Sequence, residues 1–231
     1  MNVAAPIDPL LCGFYTVGDA ARLLKIENRR RIARWLESAR NTAPVIRRDY
    51  QPIEGSQELS FWDLIEVRFV EHFRAQGVSL QFLRKVAVKA REEFGTSHPF
   101  ALSDVAFLTD RRRIFVQLAQ EDKEEKSTRD VLSGQYEMYN AIEALLAKGI
   151  GFHPITKLAD EWKPLENGCP NVVVNPRFAY GQPVIGAEKV PTAAIFRTWK
   201  AEGDRDRVAH WYGIDRAAVD EAIEFELRMS G

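Results

Sequence analysis

The chain is poor in the residues on which most site chemistry depends. Among 231 residues there are two cysteines, Cys12 and Cys169, too few and too far apart for a zinc cluster or a disulfide framework. The four histidines, His72, His98, His153 and His210, fall at no metal-ligand spacing. No metal centre and no cofactor are therefore expected. No apolar run approaches the roughly 18 residues that a membrane span requires, and the first eleven residues lack a basic leader region, so neither insertion nor secretion is indicated and a cytoplasmic location is expected. A Gly-x-Ser-x-Gly elbow, a phosphate loop and a dinucleotide fingerprint are all missing, which leaves an enzymatic reading without candidate catalytic residues. Overall charge has no sign to speak of: 32 basic residues stand against 33 acidic ones, for a formal net charge of -1.

What the whole lacks, one segment has. Arg22, Lys25, Arg29, Arg30, Arg31, Arg34, Arg40, Arg47 and Arg48 face only Glu27 and Glu37 over 22–48. Cationic excess on a neutral background suits a phosphate-binding face, because each phosphate neutralised by Lys or Arg releases condensed counterions. Thr16 and Asp19 have capping-box spacing, so a helix is expected from there, with Ala20, Leu23 and Leu24 inward. A second helix over 28–38 places Ile32, Trp35 and Leu36 on one face and leaves Arg29, Arg30 and Arg34 on others. Two short helices around a tight turn make a helix-turn-helix plan. Residues 45–50, followed by Glu54-Gly55-Ser56 and Glu58-Leu59, read as two short strands around a Gly-containing turn, a wing. The expected DNA contacts are Arg29, Arg30, Arg31 and Arg34 on the second helix, with Arg47, Arg48 and Tyr50 on the wing, since an arginine fork can grip guanine or phosphate at two points.

Ser60 and Asp63 repeat the capping-box spacing and open a helix whose Phe61, Leu64, Ile65, Phe69 and Phe73 keep helical period until Gly77. That period makes these aromatics core and not a ligand cage. A further helix should bury Leu80, Leu83, Val86, Ala87, Ala90 and Phe94 and close near Gly95. A hairpin over 106–118, a charged loop over 121–129, a helix over 131–148 and extended, Pro-punctuated chain follow. The last part opens on strands at 172–174 and 183–185. Three helices then fit 192–202, 205–212 and 216–229, with Asp204 and Asp215 as caps and Ile195, Val208, Trp211, Ile214, Val219, Ile223 and Leu227 as a small core. The fold class that results is α+β, mainly α: a winged helix-turn-helix over 1–95, a small α/β connector over 96–170 and a three-helix, helix-turn-helix-like domain over 171–231.

The two helical modules differ in charge. From 213 onward Asp215, Asp220, Glu221, Glu224 and Glu226 outnumber Arg216 and Arg228, a balance that repels phosphates and suits a protein partner or self-association. Asp220, Glu221, Glu224 and Glu226 are the expected partner-binding or dimerisation residues; on sequence alone a merely solvated helix face stays open.

Two family resemblances sharpen this. Residues 59–84, Leu-Ser-Phe-Trp-Asp-Leu-Ile-Glu-Val-Arg-Phe-Val-Glu-His-Phe-Arg-Ala-Gln-Gly-Val-Ser-Leu-Gln-Phe-Leu-Arg, resemble the helix pair after the wing in MerR-type regulators, and 16–36 resemble their helix-turn-helix. Residues 175–186, Asn-Pro-Arg-Phe-Ala-Tyr-Gly-Gln-Pro-Val-Ile-Gly, with Val190-Pro191-Thr192, Tyr212-Gly213-Ile214 and Val219-Asp220-Glu221-Ala222-Ile223, resemble the small domain of VapB-like antitoxins that pair with PIN-type ribonuclease toxins. Together the resemblances imply a type II antitoxin that inhibits a PIN-like toxin and represses its own operon. A homodimer on an inverted-repeat operator is expected from operator symmetry, since a single small module rarely reaches useful specificity alone. A stand-alone MerR-like regulator and a protein-interaction adaptor that never touches DNA are the alternatives.

Overall fold

The computed structural model describes residues 12–38, 43–52, 55–102 and 148–230. The expected hairpin at 106–118, the loop at 121–129 and all of the 131–148 helix but Lys148 lie outside the described residues; Lys148 is in a turn. Among the described residues the architecture is mixed, with seven α-helices and one five-stranded antiparallel sheet.

Local chemistry starts several of the helices. In α1 (Val17–Leu24) the Thr16 hydroxyl accepts from the Asp19 amide at 3.1 Å and Asp19 accepts from the Thr16 amide at 2.9 Å, the reciprocal cap its spacing implied. After a turn in which the Asn28 side chain accepts from the Arg30 amide at 3.1 Å comes α2 (Arg30–Leu36), shorter than expected, burying Ile32, Trp35 and Leu36. The second capping box, Ser60 with Asp63, opens α3 (Phe61–Ala75), and Ser79 caps α4 (Leu80–Phe94), which Gly95 ends at a φ of 60° that glycine adopts without strain. Phe82 joins Leu83, Val86, Ala87 and Ala90 in the core, while Leu80 and Phe94 are only partly covered. A 3-10 turn, Pro99–Ala101, folds back on α3, where Phe100 stacks on Phe69 with centroids 4.1 Å apart.

No wing hairpin forms among the described residues. The stretch 45–50 is bent chain without a ladder. Val45 and Ile46 are adjacent and both fully buried, and neither joins a ladder. Ile46 instead donates to the Trp35 carbonyl at 3.1 Å, and Leu59 bridges to Tyr15 through two bonds of 2.9 and 2.8 Å. The Ile46 backbone bond to α2 and the pairing of Leu59 with Tyr15 stand where the two-strand wing was expected.

The sheet runs in chain order: β1 (Ile150–Phe152), β2 (Ala159–Trp162), β3 (Val172–Val174), β4 (Pro183–Ile185) and β5 (Val190–Pro191). Only β3 and β4 were legible as strands; they pair Val172 with Ile185 and Val174 with Pro183. Helices α5 (Thr192–Glu202), α6 (Arg205–Tyr212) and α7 (Arg216–Met229) match their expected ranges; α5 and α7 pack on this sheet and α6 packs on those two helices. Asp204 accepts from the Asp206 and Arg207 amides, but the Asp215 side chain makes no capping bond. Trp211 and Leu227, expected inside, are 57% and 54% exposed, and Ala222, Phe225 and Met229 fill the core face of α7 instead.

The front and rear are joined through a single hydrophobic core. The Phe14 amide donates to the Tyr180 carbonyl at 2.9 Å, the Tyr15 hydroxyl to the Gly181 carbonyl at 2.8 Å, and the Trp62 indole N–H to the Ala159 carbonyl at 2.9 Å. Burial, with lesser contributions from the Tyr50 and Asp19 charges, holds the Tyr15 phenol well above its ordinary pKa and so protonated as a donor. Gly181 has φ +83°, and a Cβ there would lie 2.1 Å from the Tyr15 hydroxyl, so the close approach requires glycine.

Candidate nucleic-acid interface

Helix α2 keeps its apolar side in the core and turns Arg30 and Arg34, one turn apart, to solvent; Arg29, just ahead of it, is exposed too. Arg29, Arg30, Arg34 and Arg47 form no ion pair with a described residue. Arg29 and Arg30 line an open groove of about 530 Å³ with Thr16, Val17, Gly18, Ala33 and residues 55–58. Glu37 and Glu58 also line it, so its floor is not purely cationic.

The remaining expected contacts differ. Arg31 is half-buried, pairs with Glu71 of α3 at 3.0 Å and lies 5.7 Å from the Trp35 ring centre. That places it as a brace between α2 and α3. Arg48 is half-buried, and the Tyr50 hydroxyl donates to the Gly13 carbonyl at 2.5 Å, turning that group inward. The structure thus brings Arg29, Arg30 and Arg34 together and commits Arg31 and Tyr50 to internal contacts.

Directly behind residues 45–50 lies a buried polar cluster that sequence reasoning missed. His98 Nε2 is 2.8 Å from Asp49 Oδ1, and His98 Nδ1 is 3.7 Å from Asp63 Oδ1 and 3.9 Å from Glu66 Oε2. Asp63 uses its other oxygen to accept from the Ser60 and Asp49 amides, and Arg91 donates to the carbonyls of Val45 and Ser97. Burial pushes the Asp63 carboxyl up to about 6 and the Glu66 carboxyl up to about 7 against the opposing pull of His98. For His98, burial alone would favour the neutral ring, but the Asp49 hydrogen bond and the three carboxylates outweigh it and raise it to about 9. No sequence signal could have found this cluster, because Asp49 lies 14 positions from Asp63 and 49 from His98, and they meet only where α3, the 45–50 segment and the chain before the 3-10 turn converge.

At the rear the four expected partner-binding acids are already engaged. Glu226 is a correction: it is 6% exposed, accepts from the Thr192 hydroxyl at 2.5 Å and pairs with Arg22 of α1 at 3.1 Å. A buried threonine hydroxyl and the arginine of a distant helix draw it inward, so it ties rear to front and is no surface contact. Glu221 accepts from the Asn171 amide and side chain, Asp220 pairs with Arg205 at 3.1 Å, and Glu224 pairs with Arg228. These three remain on the surface as parts of exposed pairs.

Comparison with known proteins follows this division. The family model described as a protein of unknown function, DUF433, matches residues 172–225, from β3 into α7. Over most of its length the chain is similar to a Mycobacterium tuberculosis (strain ATCC 25618 / H37Rv) protein named "Putative antitoxin VapB45", with 26% identity over 226 residues, covering 91% of this chain and 92% of that protein. The fold is that of the chain in the "X-ray crystal structure of Rv2018 from Mycobacterium tuberculosis": the TM-score is 0.70 at 24% identity, over 94% of this chain and 98% of that one. No described helix is long and apolar enough to cross a membrane.

Proposed function

We propose that this protein is the antitoxin of a type II toxin-antitoxin module, which inhibits a PIN-like ribonuclease toxin through its rear part and represses its own operon through its front. The observation that carries the DNA half is the set of solvent-facing Arg29, Arg30 and Arg34 without described acidic partners, set against a rear whose acids are paired. The toxin half is supported by the likeness to a protein named as an antitoxin over nine-tenths of both chains. Front and rear are separate working units on this reading, with boundaries near 95 and 171. Arg47 and Arg48, which follow the Ile46 bond to the Trp35 carbonyl of α2, reach the flanking backbone phosphates on this reading, while α2 enters the major groove. Two copies related by a dyad read an inverted repeat. Asp220, Glu221 and Glu224 on α7, with the exposed Trp211 nearby in sequence, form the rear contact surface. The work is done by binding, in the cytoplasm, with no catalytic residue.

Fluorescence anisotropy with the DNA upstream of its own gene tests the front. Affinity should fall steeply with salt, and Arg30→Ala or Arg34→Ala should each weaken it and reduce the log-log salt slope by about one phosphate contact. A salt-independent signal, or slopes unchanged in both variants, refutes DNA recognition by α2 and leaves the adaptor reading. Growth arrest by the neighbouring gene product, relieved by this chain and not by one lacking 172–231, tests the rear. Relief that survives the deletion refutes the assignment.

A further inference from the structure

The cluster behind residues 45–50 has a geometry that hydrogen bonding alone does not complete. Among the described residues five of its atoms are buried without a hydrogen-bond partner: Asp49 Oδ2, Asp63 Oδ1, Glu66 Oε2, His98 Nδ1 and Arg91 Nη1. Three are carboxylate oxygens, which only accept; His98 Nδ1 is an N–H on the protonated ring and offers a lone pair once an ion displaces that proton. Buried carboxylates cost free energy unless something positive lies beside them. Without an ion that charge is the protonated His98 ring, since Arg91 stands off: its Nη2 stays 3.9 Å from Glu66 Oε2 while it donates to Val45 and Ser97.

One ligand atom each from Asp49, Asp63 and His98 lies within 4.8 Å of the others. His98 and Asp63 are themselves 4% and 0% exposed. Two metal-ligand bonds of about 2.1 Å reaching the 3.7 Å between His98 Nδ1 and Asp63 Oδ1 subtend roughly 120°, between tetrahedral and trigonal. We propose that Asp63 and His98, the latter through Nδ1, bind a divalent first-row transition-metal ion, with Glu66 as the neighbouring carboxylate and Asp49 orienting the His98 ring from its Nε2 side.

The donor set selects the class. One imidazole with two or three carboxylates suits Zn²⁺, Mn²⁺ or Co²⁺; magnesium and calcium sites are built from oxygen alone, and soft monovalent copper wants sulfur. Asp63 is already fixed by two backbone amides and His98 by burial, so the ligands are held before the ion arrives. The ion's work is structural: it fastens His98 to the start of α3 and, through the His98–Asp49 bond, the segment that follows Arg47 and Arg48. The assignment stands apart from the DNA reading and neither requires nor supports it.

The test uses tag-free full-length protein stripped with a chelator and titrated calorimetrically with Zn²⁺ or Mn²⁺. Binding of one equivalent is expected, weakened at least tenfold in Asp63→Asn and in His98→Gln and unchanged in His210→Gln, a surface histidine far along the chain. Asp63→Asn keeps an oxygen to cap α3, and far-UV circular dichroism of the metal-free variants checks folding. Should either variant fail to fold, pulsed electron paramagnetic resonance on the Mn²⁺-loaded wild type decides: an imidazole ¹⁴N coupling supports the site. Absence of that coupling, no binding, or binding equal in wild type and variants overturns it and makes the cluster a water-filled ionic network.

Discussion

Glu226 offers the sharpest test of how the two halves are held together. Replacing it by leucine keeps the volume of the side chain and removes both of its polar contacts. The Thr192 hydroxyl loses a charge-assisted bond of 2.5 Å, retaining only a longer one of 3.3 Å to the Pro183 carbonyl. Hydrogen bonds to charged groups are worth about 1.5–3 kcal/mol. Arg22 is one-third exposed and recovers water when its partner goes, so the ion pair adds no more than about 1 kcal/mol. The sum, about 2–4 kcal/mol, should lower Tm by roughly 4–16 °C for a chain of this size. Urea unfolding of Glu226→Leu, Arg22→Met and the double variant measures it. The cycle should return a coupling of about 0.5–1 kcal/mol, small because the pair is partly wet and larger than zero because Glu226 is not. A Glu226→Leu protein within about 0.5 kcal/mol of wild type would mean that the side chain is an ordinary surface acid, and the account of the junction would be wrong.

Three further outcomes follow from the same structure. Gly181→Ala should cost at least about 1–3 kcal/mol, because φ is +83° and the added methyl meets the Tyr15 hydroxyl, and thermal melts read it directly; a neutral result refutes the packing of Tyr15 on that turn. Trp62→Phe should destabilise by about 0.5–1.5 kcal/mol through loss of the indole bond to Ala159, with a wild-type urea midpoint as the refuting result. In metal-free protein, Asp63, Glu66 and His98 all have raised folded-state pKa values, so the contribution of each is complete below its unfolded pKa and is lost as pH rises through about 6, 7 and 9. Stability measured from pH 5 upward should decline over that window, and His98→Gln should remove its most alkaline part; a rise toward pH 9 would contradict the sign.

Much of the helical structure could be read before any coordinates. Thr16 with Asp19 and Ser60 with Asp63 are three positions apart, and a cap forms from the residues it joins, so the boxes appear as their spacing requires. The helix ranges at 192–202, 205–212 and 216–229 follow from apolar period and flanking glycines, which are equally local. The wing reading failed at Val45 and Ile46 because strand propensity says nothing of what buries two adjacent aliphatic side chains; the Ile46 amide is spent on the Trp35 carbonyl of α2 and not on a ladder. For β1, β2 and β5 the sequence held no alternation long enough to detect, since two to four residues gain their ladder from partners elsewhere.

By itself, then, the sequence determined where helices begin and end, that cationic side chains gather between 22 and 48, and that Arg29, Arg30 and Arg34 escape the apolar face of their helix. Tertiary structure decided which charges remain available. It turned Arg31 toward Glu71, drew Glu226 under Thr192 and Arg22, and assembled Asp49, Asp63, Glu66 and His98 behind the bent segment at 45–50. The physical reason is range: capping and amphipathic period act over a single turn of helix, whereas burial and ion pairing depend on which distant surfaces the core brings into contact.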